Sequence, residues 1–282
     1  MRAGNGDGRP MTTILQITDA HLSPRHALFR RNLALVAGWA RAARPDLVVA
    51  TGDLSADGAG GDDDLEFAAA LLREMPAPLL VLPGNHDVGS DPRTMPGQPV
   101  DAARLARFRR LAGEDRWVRD VPGWRLVGLD SEIMGTGLPE EAAQAGFIAA
   151  AAAEAGGRRI ALFLHTPVFT TAPEDPAFDY WSVAPEARAA LRPLLEHPGL
   201  RLVASGHLHL HHGFARGAVR YAWAPPLSFV CEPAIQPGMP GLRRPGALLH
   251  RLGEDAAETV LVAPEGLEMH WLADVRAETS PR

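Results

Sequence analysis

The run Val81-Leu82-Pro83-Gly84-Asn85-His86-Asp87 decides how this chain of 282 residues is read. Residues 79–82 form an apolar run of the length of one buried strand, and Pro83-Gly84 ends it in a sharp turn. An amide, an imidazole and a carboxylate then arrive together at the strand's end. Asn and Asp are ordinary turn residues, so taken alone this turn is equally a capped loop. Its weight comes from recurrence: four other strand-like runs end in the same kinds of donor.

Working outward, Ile14 to Ile17 alternates as a strand and leads into Thr18-Asp19-Ala20-His21. In extended backbone, residues two apart share a side, which predicts that Asp19 and His21 converge. Residues 46–51 read as a strand buried on both faces, running into Gly52-Asp53-Leu54, where Asp53 is either a helix N-cap or a ligand. Residues 159–164 lead to His165-Thr166-Pro167, and residues 200–205 to Gly206-His207-Leu208-His209. Alternation again predicts His207 and His209 on one side. Helical spacing is read at 28–44, 65–72, 101–113, the Ala-rich 139–155, and 185–197. Helices between strands predict largely parallel pairing. That gathers all five strand ends along one edge, where open α/β sheets bind ligands.

Other polar features have plainer explanations. The acidic run Asp62-Asp63-Asp64 suits a helix N-terminus, whose dipole is positive, better than it suits a metal. Arg104, Arg107, Arg109 and Arg110 read as a solvated helix face rather than a phosphate clamp. Asp130-Ser131-Glu132 reads as a polar strand end, with a peripheral substrate contact as the alternative. His211 and His212 fall at the rim, and His26, His197, His250 and His270 are structural or exposed. Residues 168–184 have no period and carry Phe169, Phe178, Tyr180 and Trp181, which predicts a long loop over one end of the sheet. Those rings either pack the loop down or stack a base.

From residue 218 onward short strand-like runs dominate, without a linker that would set them apart. The expected organisation is a flexible lead over 1–12, one domain over 13–275 and a tail over 276–282. No apolar run reaches the roughly 18–20 residues of a membrane span. The formal charge of −6 and pI near 6.0 argue against extended nucleic acid as a partner. The single cysteine, Cys231, excludes an internal disulfide and reads as a buried, inert thiol. The first residues have no apolar segment of the secretory type, so a cytoplasmic location is expected. A homo-oligomer is left open.

Five strands thus deliver Asp19 and His21, Asp53, Asn85 and His86, His165, and His207 and His209. Mixed oxygen and nitrogen donors suit Mn, Fe, Zn or Co rather than calcium. There are more donors than one ion needs and enough for two, and an Asp between two ions can bridge them with its two oxygens.

The ordered set D-x-H (Asp19, His21), G-D (Gly52, Asp53), G-N-H-D (Gly84 to Asp87), a lone His after a strand (His165) and G-H-x-H (Gly206 to His209) resembles the calcineurin-like metallophosphoesterases. The likeness runs from about Ile14 to the C-terminal strands. It implies a four-layer α/β/β/α sandwich of mixed sheets, with the metal site at the carboxyl ends of strands. It also implies two divalent ions, Mn or Fe foremost and Zn or Co as alternatives. Asp19, His21 and His209 would hold one, Asn85, His165 and His207 the other, with Asp53 between them. His86 would stand beside the ions as the proton donor to the leaving oxygen, while a water shared by the ions attacks. The related Ser/Thr protein phosphatases carry an Arg in a longer G-D motif and a G-N-H-E. This chain has neither, which leaves Asp57 and Asp87 as alternatives for orienting His86.

In pattern the chain is most similar to the bacterial branch of cyclic-nucleotide and glycerophosphodiester phosphodiesterases. The implied function is hydrolysis of small phosphodiesters, 3′,5′-cyclic nucleotides among them. The alternatives are a phosphomonoesterase with the same metals, or a non-catalytic module of the kind the retromer subunit resembles.

Overall fold

The computed structural model describes residues 11–279. Of the expected lead and tail, residues 1–10 and 280–282 lie outside the described residues.

In the first sheet β1 (Thr12–Ile17), β2 (Leu47–Thr51) and β3 (Leu79–Leu82) run parallel. In the second, β4 (Trp117–Val121) pairs antiparallel with β5 (Trp124–Gly128). Next to β5 lie β6 (Arg159–Phe163) and β7 (Leu200–Ser205), both parallel to it. The hairpin of β8 (His212–Arg216) and β9 (Val219–Trp223) closes that edge, β9 lying parallel to β7. The chain then passes through the short β10 (Phe229–Val230) and returns to the first sheet. There β11 (Ala247–Leu252) pairs antiparallel with β1, and β12 (Ala257–Val262) with β11. β13 (His270–Trp271) pairs with β10.

Alternation along each strand builds the layers. In β2, Leu47 and Val49 face the second sheet, where they meet Leu126, Phe163 and Leu202. Val48 and Ala50 face the other way, onto helices α1 (Arg30–Ala43), α2 (Asp62–Leu72) and α4 (Ala102–Leu111). A one-turn helix, α3 (Asn85–Val88), lies between the last two. Beyond the second sheet, α5 (Pro139–Ala153) and the short α6 (Arg192–Leu195) cover Leu162 and Val203. The architecture is therefore the expected sandwich of helices, two mixed sheets and helices. One polar side chain ties the sheets together at the ligand end. Gln16 Nε2 of β1 donates to Thr51 Oγ1 at 2.9 Å and to the Ser205 carbonyl at the end of β7.

Several local readings need correction. Residues 185–197 are not one helix: Pro185–Leu191 is a 3₁₀ turn, and an α-turn restarts at Arg192. Pro193 has no N–H, so a single hydrogen-bond ladder cannot pass through it. Among the strand-like runs near the C-terminus, residues 268–272 are strand only at His270–Trp271, and helix α7 (Leu272–Thr279) takes in residues 276–279 of the expected tail. His212 opens β8, and His211 Nδ1 donates to the Trp223 carbonyl at 3.1 Å, so both serve the β8–β9 edge. The arginines of α4 lie on a partly solvated face, as expected, and are paired there. Asp62 accepts from Arg107 and Arg110, Arg109 donates to Asp115, and Arg104 donates to the Ala59 carbonyl. No helix among the described residues is long and apolar enough to cross a membrane.

Candidate metal centre

β1, β2, β3, β6 and β7 all end at one side of the sandwich, and each candidate ligand lies within four residues of its strand's last residue. The extended-backbone reason for pairing Asp19 with His21, and His207 with His209, does not hold. Asp19 (φ 51°), His21 (44°), Asp53 (48°), His207 (69°) and His209 (52°) are all left-handed. They are five of the seven non-glycine residues with positive φ among the described residues. Each such position costs on the order of 1 kcal/mol and persists only where surrounding bonds impose it. Here they do. Asp19 N–H donates to the Gly52 carbonyl and His21 N–H to the Asp53 carbonyl. Ser228 Oγ donates to the Asp19 carbonyl at 2.6 Å. Two motif glycines serve this crowding. A Cβ on Gly52, itself at φ 85°, would run into the His165 imidazole, and one on Gly84 into the Asp53 backbone and carboxylate.

Asp19, His21, Asp53 and His209 bring four buried donor atoms within 4.8 Å of one another. His21 Nε2 lies 3.3 Å from His209 Nε2 and 3.4 Å from Asp53 Oδ2. On the other flank, His165 Nε2 lies 3.5 Å from the same Asp53 oxygen and 3.2 Å from Asn85 Oδ1. The His207 ring sits 5.1 Å from that of His165. Asp53 therefore faces both groups with one oxygen rather than two, because its Oδ1 is taken by the His86 N–H at 2.8 Å.

Backbone carbonyls set the imidazole tautomers. His165 Nδ1 meets the Thr51 carbonyl, His209 Nδ1 the Phe229 carbonyl, and His207 Nε2 the Tyr180 carbonyl, at 2.7–2.8 Å. A carbonyl only accepts, so each of these nitrogens carries the proton and the other ring nitrogen keeps a lone pair. On neutral rings the lone pairs of His165 and His209 would face carboxylate and amide oxygens, so a second ring proton or a cation has to lie between them. Asp19 Oδ1, 3.2 Å from His209 Nε2, and His21 Nδ1 are buried without hydrogen-bond partners. A cation satisfies such a set; neutral side chains alone do not.

Charge directions agree. Burial disfavours charge on Asp53, yet His165 and His86 beside it hold its carboxyl well below the usual range. Burial likewise opposes a charged His165, and the Asp53 carboxylate overrides it, raising the imidazole well above its usual value. Asp19 acts in the same way on His209. With no cation, protons on these two rings balance the carboxylates; a cation would displace them.

His86 lies edge-on to His21, with ring centroids 4.5 Å apart, and lines the cleft. Its Nδ1 donates to the Ala56 carbonyl at 2.8 Å, so a backbone group orients it in place of either expected alternative, Asp57 or Asp87. Asp57 accepts from Gln98 Nε2. Asp87 turns into the fold and accepts from the N–H groups of Leu54, Ser55 and Gly84 and from Ser55 Oγ. Burial and then the Asp53 charge push its carboxyl up to about 6.

Sequence reasoning missed the cleft's walls. A cavity of about 160 Å³ opens beside Asp53, His86, His207 and His209, walled by Tyr180, Trp181 and Phe229 and closed by Leu272 and Arg276 of α7. A buried chain of Ser131, Glu132 and Thr166 borders a second, smaller cavity on the far side of Tyr180. The signals in the sequence are the aromatic content of the 168–184 loop and the alternative reading of Asp130-Ser131-Glu132 as a peripheral substrate contact. Cys231 is buried, and burial pushes its thiol up to about 12.

The family model for calcineurin-like phosphoesterases matches residues 12–211. The chain belongs to this family. The family is one of phosphoesterases, with divalent metals as its cofactors. It is 33% identical over 131 residues to a probable cyclic nucleotide phosphodiesterase of Synechococcus, a match spanning 44% of this chain and 46% of that protein. The chain thus aligns with about half the length of that relative. Among solved structures, its fold resembles GAP50, the anchor in the inner membrane complex of Plasmodium (TM-score 0.63, 12% identity, 92% of this chain and 87% of that one). It also resembles the purple acid phosphatase PPD1 of yellow lupin (0.61, 12% identity, 97% and 57%) and a dimetal phosphatase of Danio rerio (0.53, 14% identity, 90% and 100%).

Proposed function

We propose that this phosphoesterase is a phosphodiesterase with two divalent cations, acting on small phosphodiesters, 3′,5′-cyclic nucleotides among them. The observation that carries the reading is Asp53 Oδ2, set between His21 Nε2 and His165 Nε2 at 3.4 and 3.5 Å, with further donors on both flanks. Asp19, His21 and His209 would hold one cation, and Asn85, His165 and His207 the other. Bound there, divalent cations supply a water of lowered pKa and positive charge for the phosphoryl oxygens. His86, oriented by the Ala56 carbonyl, donates a proton to the leaving oxygen. The likeness to a probable cyclic nucleotide phosphodiesterase supports a diester substrate. The formal charge of −6 disfavours a long polynucleotide.

Metal analysis together with a hydrolysis panel tests this. The panel holds cyclic nucleotides, an aryl phosphodiester, a glycerophosphodiester and phosphomonoesters, each with and without chelator. Two equivalents of metal and chelator-sensitive turnover of diesters are expected. A preference for monoesters overturns the substrate class, and turnover that ignores chelator overturns the mechanism.

A further inference from the structure

The proposed cation subsites differ in what holds their ligands. His209 and His165 are oriented by carbonyls at strand ends and loops of the framework, those of Phe229 and Thr51. Asp19 Oδ2 accepts the His207 N–H, and Asp53 Oδ1 accepts that of His86. Asn85 and His207 are held instead by one residue of the loop after β6. The Tyr180 hydroxyl accepts from Asn85 Nδ2 at 3.0 Å, and the Tyr180 carbonyl accepts from His207 Nε2 at 2.8 Å. The phenol ring lies 4.8 Å from the His207 ring.

The first contact turns the amide so that Oδ1 faces His165. The second leaves the His207 lone pair on Nδ1. The loop is itself built to carry this residue. Asp179 Oδ1 accepts the N–H groups of Trp181 and Ser182, the two residues that follow Tyr180. Arg188, buried, donates to the carbonyls of Val183, Pro173 and Asp175. Tyr180 also forms the wall shared by the two cavities.

We infer that Tyr180 is a positioning residue for the cation subsite of Asn85, His165 and His207, so that this subsite is completed by the loop while the subsite of Asp19, His21 and His209 is complete without it. The inference rests on the proposed pair of cations. Outer partners of metal ligands typically govern 10–100-fold in affinity, and that sets the expected size.

The test titrates Mn²⁺ into metal-free protein, reading affinity by competition with a chelating dye and ion pairing by electron paramagnetic resonance. Wild type should bind two ions and show the spin-coupled pair. Tyr180→Phe, which removes only the hydroxyl, should bind its first ion as wild type does and its second about 10–100-fold more weakly. At intermediate Mn²⁺ it should show the signal of an isolated ion, with the pair restored by excess metal. Phe178→Ala, in the same loop, should bind both ions as wild type does. Tyr180→Phe binding both ions normally, losing both equally, or being matched by Phe178→Ala overturns the inference. A wild type that binds fewer than two ions overturns the proposed function instead.

Discussion

His86 is the residue on which chemistry and structure can be separated. It lines the cleft and is oriented through Nδ1, but its ring makes none of the close contacts that link the rings of His21, His165 and His209 to Asp53 and Asp19. His86→Ala should lower kcat by roughly 10²–10⁴-fold while metal content stays at the wild-type level. Paired steady-state kinetics and metal analysis check this; metal lost with the ring would make His86 a ligand. The motif makes His86 legible as a chemical residue. Its orienting partner is not legible, because both candidates in the sequence are carboxylates and the actual one is the Ala56 backbone, which carries no side-chain signature.

At the scale of elements, Asp87 shows how a motif residue serves the loop and not the reaction. It gathers donors from Leu54, Ser55 and Gly84, so it clasps the turn after β2 to the start of α3. Asp87→Ala should destabilise the metal-free protein by roughly 3 kcal/mol, since it leaves several buried donors unpaired. Denaturant unfolding measures this, and unchanged stability with activity gone would return Asp87 to the chemistry. The strand ends are legible as apolar runs followed by polar residues. Their left-handed backbone is not, because it is imposed by contacts from other strand ends such as Gly52 on Asp19.

At the scale of the whole molecule, His250 of β11 is buried between the sheets, bonded to Thr259 Oγ1 and to Gln16 Oε1. Burial, and then the Arg220 charge, lowers its pKa from the usual 6.5 to about 3. The unfolded chain therefore takes up a proton that the folded chain refuses. The stability this contributes is complete above pH 6.5 and is lost as pH falls toward 3. Between those limits wild type should lose up to about 1.4 kcal/mol per pH unit more than His250→Gln. Unfolding free energies at pH 7.5, 6 and 5, taken at about equal ionic strength, compare the two slopes. The same site ties the first sheet to the second, since Gln16 reaches from His250 to the Ser205 carbonyl.

By itself the sequence determined the alternation of strands and helices and the residue types at the strand ends, because apolar runs and helical stripes are local patterns. It also carried the family, whose motifs are short and ordered along the chain. The tertiary structure alone decided which ring nitrogen of His165, His207 and His209 meets a carbonyl, which oxygen of Asp53 faces both groups, and that Tyr180 reaches Asn85 and His207. These depend on atoms distant in the chain: the carbonyl that orients His165 belongs to Thr51, 114 residues away. Only folding brings such partners within hydrogen-bond range.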